Sequence, residues 1–250
     1  MTAFPQTLKT WRTTRRYSQL DLALEADVSA RHISFLETGR ARPSREMVAR
    51  LGDALQLPLD ARNRMLTSAG FAATYPGRDW QSADMAPIRQ AVARTLENHM
   101  PYPGIAVDRL WTVKQMNPTA AALFGTVGLA EGGSLLDLMR SDHLPKLVEN
   151  WAEVAHHASL RLRSESLAQG GIPALDDLAT YLSTSAQSPQ DDAGPVIPTI
   201  LRLGEMRLSM FATIAQFGTP EDVTLDDLKI ELYFPHDDTT AQAFRALGTT

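Results

Sequence analysis

The sequence predicts an all-α domain of short helices followed by an α+β domain with a five-stranded antiparallel sheet. Three observations lead there. The chain has 250 residues, about two domains at ~100–200 residues each. Its charge is divided: residues 1–75 carry 11 Lys/Arg against 7 Asp/Glu, and residues 76–250 carry 13 against 22, so the net −5 hides a basic first part and an acidic remainder. Apolar spacing is helical alone up to about residue 70; beyond it, helical and strand-like stretches alternate. We place the first domain at 1–72, a linker at 73–84 around the breaker cluster Tyr75-Pro76-Gly77-Arg78-Asp79, and the second domain at 85–250.

Composition is that of a globular protein, 44% hydrophobic and 21% charged. With no cysteine, disulfides, thiolate metal sites, a cysteine nucleophile and a flavin–cysteinyl adduct are excluded. This suits a cytoplasmic protein. The start MTAFPQTLKTWRTTRR has no apolar run of signal-peptide type, and no stretch reaches the ~18 apolar residues of a membrane span, so no membrane partner is expected.

In the first domain a helix is predicted over Thr7 to about Arg16, with Leu8 and Trp11 inward. Ser18 then caps a second, with Asp21 as acidic partner in a capping box; Leu20, Ala23 and Leu24 form its apolar face. After a turn at Asp27-Val28, Ser29 caps a third helix, Ala30 to Glu37, with Ile33 and Leu36 inward and Thr38-Gly39 as its stop. Pro43-Ser44 opens a fourth, and Asp60 a fifth. Two short helices joined by a tight turn have helix-turn-helix geometry.

The spaced pattern Ser18-Gln19-x-x-x-Ala23-x-x-Ala26-x-Val28-Ser29-x-x-x-Ile33-Ser34-x-x-Glu37-x-Gly39-Arg40-x-x-Pro43-Ser44 resembles the xenobiotic-response-element family of phage-repressor-like DNA-binding domains, over about residues 5–70. Asp27 departs from it, standing where the family often has Gly; Asp tolerates the left-handed conformation. The resemblance implies double-stranded operator DNA as partner, with the third helix in the major groove. Candidate DNA contacts are Gln19, Ser29, Ala30, Arg31, Ser34, Phe35, Arg40 and Arg42. Arg31 suits guanine O6 and N7, against the alternative of a solvated surface arginine. Phe35 suits either a thymine methyl or internal packing. Gln19, Arg40 and Arg42 suit phosphates. Arg12 and Glu37 match a structural salt bridge of phage repressors.

In the second domain, residues 85–99 read as a helix ended by Met100-Pro101-Tyr102-Pro103-Gly104. Ile105–Val107 and Leu110–Gln115 form a hairpin, and Asn117-Pro118 caps a helix from Thr119 to Phe124. Helical patterns run from Leu135 to Leu182, with Trp151, Val154, Leu160 and Leu167 as bulk. Ser183 to Pro195 reads as an exposed loop. Strand-like stretches follow at Ile197–Leu203, Arg207–Phe217 and Leu228–Phe234, and a helix closes the pattern at Asp238–Leu247.

This order resembles a PAS-like domain. More specific words, Trp111-x-x-x-x-Met116-Asn117-Pro118-x-Ala120-x-x-Leu123-Phe124-Gly125 and Phe211-x-Thr213-Ile214-Ala215-x-Phe217-Gly218-Thr219-Pro220-x-Asp222-Val223-Thr224-Leu225, resemble the MmyB-like regulator ligand-binding domain over about residues 85–247. The resemblance implies a pocket for a fatty acid or an acyl derivative such as an acyl-CoA. Phe124, Met139, Trp151, Met206, Met210, Phe211, Phe217 and Tyr233 offer large, soft side chains for it, or for plain core. Arg161 and Arg163 suit an anionic head group, or an ion pair with Glu165 or a neighbouring acid.

No nucleophile–base, P-loop or dinucleotide motif is present, and the adjacent His156 and His157 do not form an i, i+4 metal pair; neither a metal, a cofactor nor an enzymatic activity is expected. The sequence therefore predicts a ligand-responsive, homodimeric DNA-binding regulator. Its rivals are a constitutive DNA-binding protein whose second domain only dimerises, and an acyl-processing enzyme.

Overall fold

The computed structural model describes residues 3–184 and 196–247. They divide into two compact units. One holds the chain up to Gly77 with Ser166–Ile172 and Pro220–Asp226; the other holds Arg78–Glu165, Pro173–Thr219 and the chain from Asp227 on. The two later segments in the first unit cut into the stretch expected to be a single second domain. The bulk of the predicted loop, 185–195, lies outside the described residues.

The first unit packs α1 (Phe4–Thr14), α2 (Gln19–Glu25), α3 (Ala30–Glu37), α4 (Arg45–Ala54) and α5 (Leu59–Ser68) around one core centred on Leu8, Leu22, Ile33, Leu36, Leu51 and Met65. The starts of α2, α3 and α4 are set by serine side chains that satisfy otherwise orphaned N–H groups. Ser18 Oγ accepts from Asp21 N–H at 3.1 Å while Asp21 Oδ2 accepts from Ser18 N–H at 2.8 Å, which completes the capping box. Ser29 Oγ accepts from His32 N–H at 3.1 Å, and Ser44 Oγ from Met47 N–H at 3.2 Å.

Two expectations are corrected here. The first helix starts at Phe4, not Thr7, because Pro5 is favoured in a first turn. On α2 the core takes Leu22 and Ala23, while Leu20 and Leu24 are exposed at 58% and 73%.

The second unit opens with a 3-10 turn (Ala83–Met85) and α6 (Ala86–Asn98), then β1 (Gly104–Val107), β2 (Val113–Met116), α7 (Pro118–Gly125), α8 (Leu135–Arg140), α9 (Leu144–Leu147), α10 (Trp151–Ala168, whose part up to Glu165 lies in this unit) and α11 (Pro173–Ser183). It continues with β3 (Thr199–Leu203) and β4 (Met206–Ala215); α12 (Val223–Asp226) intervenes and belongs to the first unit; β5 (Lys229–Pro235) and α13 (Asp238–Leu247) complete it. The five strands form one antiparallel sheet in the order β2-β1-β5-β4-β3.

Asn117 ties three elements together. Buried to 2%, it accepts from Ala120 N–H (2.9 Å) and Gly104 N–H (3.2 Å) through Oδ1, and donates from Nδ2 to the carbonyls of Leu96 (3.0 Å) and Tyr102 (2.8 Å). All its hydrogen-bonding capacity is thus used. Strand alternation puts Lys229, Glu231 and Tyr233 on one face of β5 and Ile230, Leu232 and Phe234 on the other. Leu160, Leu167 and Met206, expected as apolar filling, are instead exposed.

Candidate functional site

Two surfaces carry chemistry. The first is the α2–turn–α3 region. Asp27 occupies the turn with φ +50, the left-handed conformation for which Asp is among the better-tolerated non-Gly residues. Arg12 Nε and Nη2 grip Glu37 Oε1 and Oε2 at 2.6 and 3.0 Å, and Arg12 Nη1 donates to the Tyr17 carbonyl. Burial pushes the Glu37 carboxyl up, but hydrogen bonds from Arg12 and Gln19 and the charges of Arg12 and Lys9 hold it below its ordinary value. The hydrogen bond to Glu37 likewise raises Arg12. This clamp is structural: it ties α1 to the end of α3.

Around it stand the predicted DNA contacts. Gln19 donates from Nε2 to Glu37 Oε2 at 2.8 Å; this bond uses one of its two N–H donors. Ser29 is exposed and spends its hydroxyl on the cap. Ala30, a candidate DNA contact, is half-buried against the core. Ser34 is half-buried and Arg31 exposed. Phe35 is half-buried, and its ring lies beneath the Arg31 guanidinium at 5.1 Å and near that of Arg40 at 5.9 Å. Such cation–π contacts hold a guanidinium in place without using its hydrogen-bond donors. Arg40 and Arg42 are exposed just beyond Gly39, whose φ of +72 reverses the chain after α3.

The second surface lies wholly in the second unit, between the sheet and α8 and α10. A half-open cavity of about 600 Å³ is bordered by Trp111, Met139, His157, Arg161, Glu231 and Tyr233, among others. A smaller chamber of about 120 Å³ has an almost wholly apolar wall, including Phe124, Leu138, Leu144, Trp151 and Leu201. Leu135, Met139, Val154, Thr199, Met210 and Tyr233 border both. Phe124, Met139, Trp151, Met210 and Tyr233 are thus brought together as lining. Phe211 borders the larger cavity, but its ring stacks on Phe234 at 5.8 Å, on the opposite face of the sheet from Tyr233.

The two arginines separate. Arg163 is exposed and borders neither cavity, a correction that follows from its turning to the outer side of α10. Arg161 faces the cavity already engaged, as its ion-pair alternative had it. Its Nε donates to Glu165 Oε1 at 2.9 Å and its Nη2 to Glu231 Oε1, while its guanidinium lies 4.4 Å from the Trp111 ring centroid. Glu165 Oε2 accepts from Trp111 Nε1 at 2.9 Å and from Lys229 Nζ; Glu231 Oε2 accepts from the Tyr233 hydroxyl at 3.0 Å.

Burial works against the Arg161 charge, but the carboxylates of Glu231 and Glu165 outweigh it and raise its pKa. Burial also pushes Glu165 up, and Lys229, Arg161 and Trp111 more than reverse this. Burial, reinforced by Glu231, drives the Tyr233 hydroxyl well above its ordinary value, so Tyr233 remains a donor. Trp111 holds its place with φ +58, left-handed for a bulky residue. The Asp108 carboxylate, accepting from Leu110 and Thr112 N–H at 2.9 and 3.0 Å, fixes that turn.

Sequence reasoning missed Glu231, Lys229 and His157. The alternation Lys229-x-Glu231-x-Tyr233 was the available signal, but such a polar face ordinarily looks into solvent. The rings of His156 and His157 meet edge to face at 5.3 Å, and no group of three or more His, Asp or Glu suited to a metal occurs among the described residues. No described helix is long and apolar enough to cross a membrane.

A helix-turn-helix unit and an α+β unit with a lined cavity in one chain define a DNA-binding transcription regulator that carries a ligand-binding domain. The chain belongs to the family of the MmyB-like transcription regulator ligand binding domain, whose model matches residues 88–247, and a helix-turn-helix domain model matches residues 3–65. No curated protein matches it.

Proposed function

We propose that this regulator is ligand-responsive: α3 reads operator DNA, and the cavity of the second unit takes a small apolar effector, a fatty acid or acyl derivative, that changes the DNA-competent population. The observation that carries this is the pair of adjoining cavities, which gathers Phe124, Met139, Trp151, Met210 and Tyr233 from five elements around an apolar chamber next to a larger, mostly apolar one that carries a few polar groups. Binding sites are typically concave, mostly apolar and furnished with a few placed polar groups. On the DNA side, Arg31, Ser34 and Phe35 face base edges, with Ser29 and Ala30 at the helix start, and Gln19, Arg40 and Arg42 hold phosphates. One helix-turn-helix makes few contacts, so the protein acts as a homodimer on a pseudo-palindromic site, in the cytoplasm, without enzymatic turnover.

The test is mass spectrometry of an organic extract of the purified protein beside its intact native mass. A stoichiometric acyl compound and twice the chain mass are expected. An empty protein whose operator affinity ignores every added acyl compound contradicts the effector; a monomeric mass on and off DNA contradicts the dimer.

A further inference from the structure

The DNA-reading unit is not completed by the chain up to Gly77 alone. Its α5 begins after Pro58, which offers no side-chain cap. The N–H of the first helical residue, Leu59, donates instead to Asp226 Oδ2 at 2.8 Å, 167 residues further along. A carboxylate there also suits the positive end of the helix. The turn that carries Asp226 is itself tied down. Asp222 Oδ1 accepts from Thr224 N–H at 2.8 Å, the Asp222 carbonyl accepts from Asp226 N–H at 3.0 Å, and Val223 N–H donates to the Pro76 carbonyl at 2.9 Å.

The reciprocal arrangement holds at the end of α10, where carbonyls lack intrahelical partners. Arg15 Nη2 donates to the Ala168 carbonyl at 3.1 Å, while the same guanidinium holds the carbonyls of Leu55 and Gln56 at 3.0 and 3.2 Å. Arg64 Nη2 donates to the Gln169 carbonyl at 3.4 Å. Cations are favoured at this end of a helix. Gly170, at φ +82, then lies so close to the Trp11 indole that a Cβ would stand 2.4 Å from the ring. Trp11 belongs to the core of the DNA-reading unit and precedes Arg12, which grips Glu37 at the end of α3.

Both segments lead to the larger cavity. α10 borders it through His157, Ala158 and Arg161, and Ala168 follows Arg161 by about two helical turns. The segment with Asp226 lies between β4 and β5, which border the cavity through Met210, Ala212, Glu231 and Tyr233.

We infer that the effector acts on the DNA-reading unit through these two straps. α10 and the β4–β5 connection leave opposite walls of the cavity and end as parts of that unit. A change in the spacing of the walls is therefore delivered to α1 and α5, and through Arg12 and Glu37 to α3. Arg15, Arg64, Gly170 and Asp226 are the positioning residues of the clamp. This rests on the reading of the cavity as an effector site and adds the route by which the effector is felt.

The experiment uses the full-length protein with its Asp226→Ala, Asp226→Asn and Gly170→Ala variants, and saturated fatty acids of eight to sixteen carbons as probes. Without a probe, hydrogen exchange at the Leu59 amide is expected to be about five-fold faster in Asp226→Ala and nearly unaltered in Asp226→Asn, which keeps an acceptor oxygen. Unaltered exchange in Asp226→Ala overturns the clamp. Probe binding is read by tryptophan fluorescence, because Trp111 and Trp151 border the two cavities. The tightest probe is expected to change the operator Kd of the unmodified protein by about 5–150-fold. Both alanine variants still bind operator and probe but reduce that change to about two-fold or less, and Asp226→Asn retains it. Coupling kept in full by either alanine variant overturns the inference and leaves the effector reading standing; Asp226→Ala decides alone where Gly170→Ala does not fold. If no fatty acid binds, or one binds without changing operator affinity in the unmodified protein, the effector reading fails and the route falls with it.

Discussion

Arg31 shows how one residue divides its work. Its guanidinium rests on the Phe35 ring at 5.1 Å, which orders the side chain at the start of α3 and leaves its N–H fork open to a guanine edge. Replacing it with Ala is expected to cost about 1–3 kcal/mol of operator binding and to relax preference at one base pair. A binding selection that returns the same preference for both proteins contradicts a base contact and returns Arg31 to the solvated surface. The place of Arg31 in the first turn of α3 was readable from sequence because it depends only on the offset from the Ser29 cap two residues before it. For Arg161 the local pattern offered one partner, Glu165 four residues on, but not the other, Glu231, which lies 70 residues further along, where no local pattern announces a pairing.

Elements were legible in proportion to how fully local chemistry determines them. The helix Ala30–Glu37 was expected at the residues it occupies, since a serine cap and the Thr38-Gly39 stop bracket it. The buried face of Gln19–Glu25 was misjudged because seven residues, under two turns, do not fix a helical phase; packing, not periodicity, selected Leu22 over Leu20 and Leu24. In Trp151–Ala168 apolar residues occur on several sides, and the sheet decided which were covered. The strand Lys229–Pro235 has a charged face because a helix, not water, lies over it. The turn between α2 and α3 offers a test at this scale. Asp27 at φ +50 pays some left-handed strain that glycine avoids, while glycine also loosens the unfolded chain. Because the strain outweighs the loosening at a left-handed position, Asp27→Gly is expected to stabilise the protein by about 0.5–1 kcal/mol, and Asp27→Val, β-branched, to destabilise it. Denaturant unfolding of the three proteins checks the order; Val equal to Asp contradicts a strained turn.

At the scale of the whole molecule, a basic reader and an acidic sensor share one chain, and the division gives each an appropriate partner. The basic part neutralises phosphates, while the acidic part adds no attraction for nucleic acid. Regulation then requires a difference, not merely two binding events: an effector with equal affinity for DNA-competent and incompetent states shifts nothing, however tightly it binds. Coupling between distinct sites typically spans about 5–150-fold, and that is the change expected in operator dissociation constant when the effector saturates the protein at fixed salt. Linkage makes the test stricter than a single titration. Saturating operator must change the effector's affinity by the same factor and in the same sense, so the two measurements check each other without any assumption about whether the effector represses or activates. Equal operator affinity with and without bound effector, matched by equal effector affinity with and without operator, would leave a DNA-binding protein whose second domain holds its ligand for some purpose other than control of that site.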